Sequence, residues 1–212
     1  MRVAAVVVAA GRGERFGEPK QFLSLEGRSV CAHSVAAARS VADVVVVVVP
    51  ESYSGTGEGA DLVVTGGATR AESVRAGLAV LDDADIVIVH DAARPVATPD
   101  LFTRVIDALG EGVDGVIPGL AVSDTLKRVE RDDDGVLRVS RTVDRENLVA
   151  VQTPQAFRGE VLRRAHEGNP DATDDAALLE ALGARVVVVE GETSNVKITH
   201  PRDWDLVRRG HG

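Results

Sequence analysis

The sequence predicts an α/β fold built on a mostly parallel, doubly wound sheet. Short apolar runs rich in β-branched residues recur along the chain, and several are separated by segments with helical spacing. Alternation of this kind places helices on both faces of a parallel sheet. The predicted strands cover residues 3–9, 44–49, 62–64, 86–89, 113–117 and 185–189.

Helix signals fill most of the intervals between these strands. The clearest begins with Thr98 as N-cap and Pro99 in the first turn, and it continues with Phe102 and Val105 on one apolar face. Ligands of such sheets bind beyond the carboxyl ends of the strands, so the loops that follow the strands are where chemistry is expected. Further helices are predicted at about residues 30–39, 69–81, 159–166 and 174–182, and from Pro201 onward.

A charged segment at about residues 121–147 interrupts the alternation. Asp134 and Gly135 separate two partly alternating runs, which predicts a projecting β-hairpin. An isolated hairpin buries little apolar surface, so we expect this dimerisation arm to pack on a second copy of the chain. The alternative is a mobile surface excursion. The sequence thus predicts one domain over residues 1–212 with an arm.

Composition limits the function classes. The 212 residues carry a net charge of −9, which argues against binding to nucleic acid or to an anionic membrane surface. Cys31 is the only cysteine, so neither an internal disulfide nor a thiolate metal cluster is expected. No segment is long enough to span a bilayer, and the apolar start lacks a convincing cleavage site. A cytoplasmic location is therefore expected.

A glycine-rich basic loop follows the first strand. Gly11 and Gly13 allow tight turns and expose backbone N–H groups, and Arg15 and Lys20 lie close behind them. Cations are concentrated here in an otherwise acidic chain. The loop therefore predicts a site for several phosphate charges, although a glycine-rich surface turn with solvated basic residues would look similar.

Two familiar phosphate loops do not match this segment. A Walker loop would end in Gly-Lys-Ser/Thr, which is missing, and the dinucleotide fingerprint would need glycine where Phe16 stands. Glu51 after the second predicted strand could serve as the ribose acid of that fingerprint, which leaves a dehydrogenase as a weakened alternative. A free nucleoside triphosphate fits the pattern better.

The segment HDAARP follows a predicted strand at the expected active edge. Asp91 offers a hard oxygen ligand for Mg²⁺, which usually keeps substrate phosphates among its ligands. Arg94 can form a bidentate pair with a phosphate. Alternatively, Asp91 and Arg94 bond each other and cap the turn. We expect His90 to be structural, because the reaction proposed below needs no imidazole.

Two weaker signals complete the set. The segment that contains Gly67 follows a strand and opens a helix, so a flat ring could approach it closely and Ser73 could bond a base edge. Ordinary helix starts share this pattern. Lys197 is flanked by apolar residues in a late strand region and could point into the cleft, or it could extend from a sheet edge to solvent.

The blocks occur together and in a fixed order across nearly the whole chain. They read AAGRGERFGEPKQF, GGATRAESV, HDAARP, SDTLK, TVDRE with QTPQAF, TDDAALLE and NVKIT. In this the chain resembles the 2-C-methyl-D-erythritol 4-phosphate cytidylyltransferases of the non-mevalonate isoprenoid pathway. The resemblance implies a Rossmann-like nucleotide-binding fold, a homodimer with interlocked arms, and Mg²⁺-dependent transfer of CMP from CTP to methylerythritol phosphate with release of pyrophosphate.

The resemblance also implies residue roles. Asp91 should hold the metal and approach the sugar alcohol. Thr153 and Arg145 should reach in from the neighbouring subunit. The residues implied to bind CTP are Ala9, Ala10, Gly11, Gly13, Gly67 and Ser73. Those implied to act on the triphosphate are Arg15, Lys20 and Lys197, and those around the second substrate are Arg94, Thr125 and Thr173.

Some positions depart from the family pattern and leave alternatives open. The loop between Arg15 and Lys20 is shorter than in some relatives, and Ala68 and Ser194 stand where some relatives carry acids. The second metal contact is therefore open. A ribitol-5-phosphate cytidylyltransferase shares most of the motifs, although Ala93 favours the erythritol enzyme. A non-catalytic nucleotide-binding protein of the same fold is a further alternative.

Overall fold

An eight-stranded sheet forms the centre of the molecule, in a computed structural model that describes residues 1–11, 13 and 16–210. A second, two-stranded sheet forms a hairpin, and a third pairs two very short strands. The strands are β1 Val3–Val8, β2 Ser24–Leu25, β3 Arg28–Ser29, β4 Val44–Val49, β5 Leu62–Thr65, β6 Ile86–Asp91, β7 Gly115–Ala121, β8 Leu126–Arg131, β9 Leu137–Val143, β10 Val149–Val151, β11 Gln155–Arg158 and β12 Val186–Glu190.

Helices connect most of the strands of the main sheet, as predicted. Their bounds are α1 Val30–Arg39, α2 Arg70–Ala79, α3 Pro99–Asp107, α4 Gly159–Ala165, α5 Asp175–Ala181 and α6 Pro201–Gly210, with a short 3₁₀ helix at Lys20–Phe22. Side chains cap several helix starts: Thr69 accepts from the Glu72 amide in a reciprocal capping box, and Asp174 accepts from the Ala177 amide. Within the described ranges, none of the helices is long and apolar enough to cross a membrane.

The strand order of the main sheet is β10-β7-β11-β6-β1-β4-β5, with β12 pairing alongside β7. β1 runs parallel to both β4 and β6, so that Val6 lies between Val46 and Val89. β11 runs antiparallel between β6 and β7. The predicted mostly parallel sheet is confirmed. β11 was not predicted, because its four residues are too few to show a period.

The valine-rich strands are buried on both faces. Successive residues of β1 and β4 alternate between two core clusters, since side chains alternate across a strand. On one face Val7 and Val47 pack with α1 and α3, and on the other Val6 and Val46 pack with the apolar sides of α2 and α4. Each fully buried valine contributes about 1.5 kcal/mol or more of apolar burial. This core stabilises the central sheet, and the candidate site lies at the carboxyl ends of its parallel strands.

The predicted hairpin is present and consists of β8 and β9. Gly135 has φ +79° in the connecting turn, a conformation that side-chain-bearing residues rarely adopt. Leu137 and Val139 are 56% and 60% exposed. Pairing of Ala121 with Val149 joins β7 to β10 at the base of the hairpin. The dimerising role of this arm and the single-domain division stay predictions.

Candidate active site

Two adjoining cavities lie at the carboxyl ends of β1 and β6. The larger has a volume of about 680 Å³ and the smaller about 190 Å³, and we refer to them as the large and the small cavity. Arg70, Asp91 and Lys197 line both, so these three side chains form the shared wall. The residues of the large cavity include every position predicted to bind CTP, namely Ala9, Ala10, Gly11, Gly13, Gly67 and Ser73, together with Lys20.

The first loop is held against the end of β1. Gly13 has φ +71° and accepts hydrogen bonds from the amides of Phe16 and Gly17, and a side chain at Gly13 would collide with the Glu18 carbonyl. The buried Gln21 amide donates to the carbonyls of Ala9 and Gly11 at 2.7 and 2.8 Å. Sequence reasoning did not single out Gln21, since a glutamine carries no signal of its own.

Lys20 begins the 3₁₀ helix directly after this loop and lines the large cavity. It therefore lies on the same cavity as Lys197 and Asp91, which come from distant parts of the chain. Arg15, the other predicted cation of the loop, lies outside the described residues, and its role stays a prediction.

The second loop packs tightly at the start of α2. Ser73 is buried; its hydroxyl donates to the Thr69 carbonyl at 3.0 Å and accepts from the Gly67 amide at 3.2 Å. A side chain at Gly67 would collide with Glu72, whose carboxylate accepts from the Ala68 amide at 2.6 Å. Ser73 thus shapes the loop that borders the cavity. Its predicted hydrogen bond to a base stays a prediction.

Asp91 carries the central charge of the shared wall. The Lys197 ammonium lies 2.6 Å from Oδ2, and Arg70 Nε lies 3.2 Å from Oδ1. Burial opposes ionisation of Asp91, but the two adjacent cations outweigh it and hold its pKa well below the usual range. The carboxylate is therefore ionised at any physiological pH.

Arg70 extends this charge arrangement into the protein interior. Its Nη1 donates to Asp175 Oδ2 at 2.7 Å, and Asp175 Oδ1 lies 2.9 Å from His166 Nε2. Asp175 is 1% exposed at the first position of α5. Sequence reasoning missed both Arg70 and Asp175, because each stands at a helix start where a charged residue is ordinary. Only the tertiary structure, which brings the start of α2 to the start of α5, joins them.

Arg94 is anchored on backbone carbonyls rather than on Asp91. Its Nη1 donates to the Asn195 carbonyl at 2.7 Å and its Nη2 to the Val151 carbonyl at 3.4 Å. The side chain is buried but lines the small cavity, and burial lowers its pKa. The alternative that the Asp91 and Arg94 side chains bond each other is wrong. Their hydrogen bond joins the two backbones, where the Arg94 amide donates to the Asp91 carbonyl, while the side-chain charges attract each other without a hydrogen bond.

His90 and Thr153 lie beneath the Asp91 backbone. Thr153 Oγ1 accepts from the Asp91 amide at 3.0 Å and lies 3.1 Å from His90 Nδ1. Full burial lowers the pKa of His90 to about 4, so the ring is neutral at pH 7. The expectation that Thr153 reaches in from a neighbouring subunit is wrong for this site. Thr153 directly precedes β11, and β11 pairs with β6, which puts Thr153 beside its own Asp91.

The remaining predicted substrate residues are spread around the small cavity and the hairpin base. Thr173 is exposed and lines the small cavity. Thr125 and Arg145 are exposed at the hairpin base, where Arg145 donates to the Ser123 carbonyl. They lie outside the residues that line the two cavities of this chain. Their predicted roles, around the second substrate for Thr125 and from a neighbouring subunit for Arg145, stay predictions.

Asp91 is the residue best suited to a divalent metal. In the part of the chain that the structure describes, no group of three or more His, Cys, Asp or Glu residues could hold a metal ion alone. A protein carboxylate plus substrate phosphates is the usual environment of Mg²⁺, and each Asp91 oxygen has one hydrogen-bond partner and further lone pairs. The donor set therefore fits a Mg²⁺ held mainly by phosphates. Ser194 leaves the second protein contact open.

The fold and the cation-rich cavities define the class of a nucleotidyltransferase built on an α/β sheet. A family model described as 2-C-methyl-D-erythritol 4-phosphate cytidylyltransferase matches residues 3–208. The chain belongs to this family. The predicted family and enzyme class are confirmed, and neither the ribitol enzyme nor the non-catalytic alternative is favoured.

Individual members of the family are similar to this chain over nearly its whole length. A cytidylyltransferase of this name from Rhodococcus jostii (strain RHA1) is 46% identical over 215 residues, covering 97% of this chain and 93% of the relative. One from Cereibacter sphaeroides (strain KD131 / KCTC 12085) is 43% identical over 223 residues, with 99% and 96% covered. The crystal structure of the Thermus thermophilus enzyme superposes with a TM-score of 0.82 at 36% identity, covering 97% of each chain.

Proposed function

We propose that this protein transfers the cytidylyl group of CTP to the phosphate of 2-C-methyl-D-erythritol 4-phosphate and releases pyrophosphate. The observation that carries the proposal is the convergence of Lys20, Lys197 and Asp91 on one cavity at the carboxyl edge of the sheet. In a chain of this family, such a cavity suits a nucleoside triphosphate with its metal.

The large cavity is the proposed CTP site. Small residues at the end of β1 and around Gly67 leave room for a flat base, and the loop after β1 offers backbone amides to phosphate. The cavity volume of about 680 Å³ is large enough to take a nucleotide. Ser73, buried at its border, is the proposed contact to the base.

The chemistry needs no general base. An oxygen of the sugar phosphate, already ionised, attacks the α-phosphorus of CTP. A new P–O bond forms there while the bond from the α-phosphorus to the pyrophosphate oxygen breaks, and the electron pair leaves with pyrophosphate. Catalysis then rests on alignment of the two substrates and on neutralisation of charge that spreads over the phosphoryl oxygens.

Lysines and arginine supply that neutralisation from this chain. Lys20 approaches from the first loop and Lys197 from the segment after β12, and both line the large cavity. Arg15 is proposed as a third cation. Asp91 would hold Mg²⁺, which when bound supplies a Lewis acid for the phosphate oxygens. His90 is neutral and buried, which suits a supporting role under Asp91.

The small cavity is the proposed site of the sugar phosphate. Arg94, Thr153 and Thr173 line it, and Asp91 is available to a substrate hydroxyl. Because the two cavities share Arg70, Asp91 and Lys197, a sugar phosphate in the small cavity would lie next to the large cavity, which suits an in-line attack. Thr125 and Arg145 would complete the site from the arm, with Arg145 contributed by the partner subunit.

A homodimer through the hairpin is part of the proposal. Leu137, Val139 and Val129 expose apolar surface on a two-stranded sheet that has little core of its own. A second copy of residues 1–212, taken as a single domain, would cover it.

We also place the enzyme in the cytoplasm, where nucleoside triphosphates are available; cell fractionation checks this placement.

Pyrophosphate release tests the function directly. The purified protein is incubated with Mg²⁺ and each pair drawn from CTP, UTP or ATP and methylerythritol 4-phosphate or ribitol 5-phosphate. We expect release with CTP and methylerythritol 4-phosphate, and its loss when EDTA is added. Preference for ribitol 5-phosphate would replace the proposed substrate, and tight binding of CTP without any release would favour a nucleotide-binding protein without this activity.

A further inference from the structure

Asp91 has two cationic partners that are held very differently. Arg70 is 21% exposed and its guanidinium bridges Asp91 and Asp175 with separate nitrogens, at 3.2 and 2.7 Å. Lys197 is 40% exposed and contacts Asp91 through its single ammonium at 2.6 Å. Arg70 is therefore fixed between two carboxylates from different elements, whereas Lys197 lies at the end of a flexible chain with one point of contact.

Asp91 and the triphosphate would compete for the ammonium of Lys197. Its ammonium is engaged by Asp91, yet the proposed function requires that positive charge at the triphosphate. If Lys197 turns toward phosphate, Asp91 loses its closest partner, and a buried carboxylate without a partner is strongly unfavourable. Mg²⁺ would compensate Asp91 once it is bound there, so a group of this chain has to compensate the carboxylate while the ammonium leaves and before the metal binds.

We propose that Arg70 is a positioning residue that keeps Asp91 compensated so that Lys197 can be released to the triphosphate. Arg70 contacts the oxygen Oδ1, which Lys197 does not use, so its contact survives when the ammonium leaves Oδ2. Asp175 holds Arg70 in this place from the start of α5, with His166 on its other oxygen. This inference rests on the proposed function of the same site.

The arrangement predicts a coupling between Arg70 and Lys197 in nucleotide binding. Without Arg70, Asp91 keeps Lys197 as its remaining direct partner and competes with phosphate for it, so binding weakens. When Lys197 is also replaced, there is no ammonium to release from Asp91. Loss of Arg70 should then have little effect on nucleotide binding. A double-mutant cycle measures such a dependence as a departure from additivity.

The experiment measures the dissociation constant of CTP with Mg²⁺ by isothermal titration calorimetry on the full-length protein. We expect Arg70→Met to weaken binding about tenfold in the wild-type background and less than about threefold in the Lys197→Met background. Asp175→Asn is expected to weaken binding several-fold, because it frees Arg70 from its anchor. Circular dichroism and thermal melting establish that each variant is folded.

Arg39→Met serves as the matched control. Arg39 also pairs with a carboxylate, Asp61 at 2.9 Å, but it ends α1 and Asp61 precedes β5, at the opposite edge of the sheet. We expect no change in CTP binding. If Arg70→Met does not fold, Arg70→Lys replaces it and is also expected to weaken binding, since one ammonium cannot bridge both carboxylates.

Equal losses from Arg70→Met in both backgrounds would overturn the inference, because they would mean that Arg70 acts independently of Lys197. No loss in the wild-type background would overturn it as well. A wild-type protein that does not bind CTP with Mg²⁺ would instead refute the proposed function. The two failures are therefore distinguishable in one set of titrations.

Discussion

The cavity wall and the hairpin arm carry charge in opposite ways. At the shared wall Asp91 is buried, as is Asp175 behind it, while Arg70 between them is half-buried, and each charge faces another at hydrogen-bond distance. On the arm, charged side chains stand in solvent beside exposed Leu137 and Val139. Surface ion pairs contribute little, whereas breaking a buried one costs several kcal/mol. The comparison teaches that the charges of the wall find their partners within one chain, whereas the arm leaves apolar side chains uncovered in the single chain.

Loss of Lys20 gives the largest expected effect. Lys20→Ala should reduce turnover by about three orders of magnitude while the fold stays intact, because it removes a cation from the developing charge at phosphorus. Steady-state pyrophosphate release measures this. Lys127→Ala on the arm removes an equal charge from an exposed position and should change turnover less than about threefold. Near-normal turnover of Lys20→Ala would refute its catalytic role.

Asp175→Asn should be the most destabilising of these changes. Removing the anion leaves Arg70 half-paired, at a cost of about 3 kcal/mol. Burial opposes ionisation of Asp175, but His166 and Arg70 outweigh it and lower its pKa. Its contribution is thus present above the unfolded-state pKa of about 4 and is lost as pH falls further.

Urea unfolding from pH 7 to pH 3 measures that contribution. The difference between wild type and Asp175→Asn should be largest near pH 7 and should shrink below about pH 4. The neighbouring Asp174→Asn is the control, since asparagine caps a helix about as well as aspartate and the change should cost under about 0.5 kcal/mol. A difference that does not depend on pH would contradict the role of the Asp175 charge.

Arg145→Ala tests whether the arm belongs to a site. We expect kcat/KM for methylerythritol 4-phosphate to fall about tenfold to a hundredfold, with a smaller effect on kcat/KM for CTP, because one charged contact to the sugar phosphate is lost. Kinetics with each substrate varied in turn decide this. Arg141→Ala, on β9 of the same hairpin, should leave both values near wild type. Equal effects on both substrates would count against the assignment.

The smallest effect on folding is expected for the arm surface. Val139→Lys should change the free energy of unfolding of a subunit by less than about 0.5 kcal/mol, because Val139 is largely exposed in the single chain. It should nevertheless shift the protein toward monomer in sedimentation velocity. Val188→Lys on β12, at a similarly exposed valine, is the control. An unchanged dimer, or a wild-type monomer, would argue against the arm as interface.

Periodicity in the sequence predicted the parts of the fold that depend on local pattern. β1, β4 and α1 lie within about one residue of their predicted bounds, and α3 begins at the predicted Pro99, whereas β7 extends to Ala121 beyond its predicted end at 117. β11 was not predicted, because its four-residue sequence gives no strand signal. Pairing with β6 on one side and β7 on the other makes it a strand. Local signals therefore identify elements, whereas strand insertion is decided by long-range pairing.

The site residues likewise fall into those with a local sequence signal and those defined by distant partners. Lys20, Asp91 and Lys197 were predicted, and all three line the large cavity. Arg70, Asp175 and Gln21 were not, because their function depends on partners far away in the chain. Thr153 was assigned to the wrong subunit for the same reason: its placement follows from β11. Arg15 and the roles of Thr125 and Arg145 stay predictions.

The pairing at the foot of the hairpin makes the arm a detachable module. Ala121 and Val149 are directly opposite residues of β7 and β10, which places their Cα atoms about 5 Å apart. A short turn could therefore replace everything between them without disturbing the register of the main sheet. Arms of other lengths could be grafted at the same junction, and the site would then lose only the contacts proposed for Thr125 and Arg145.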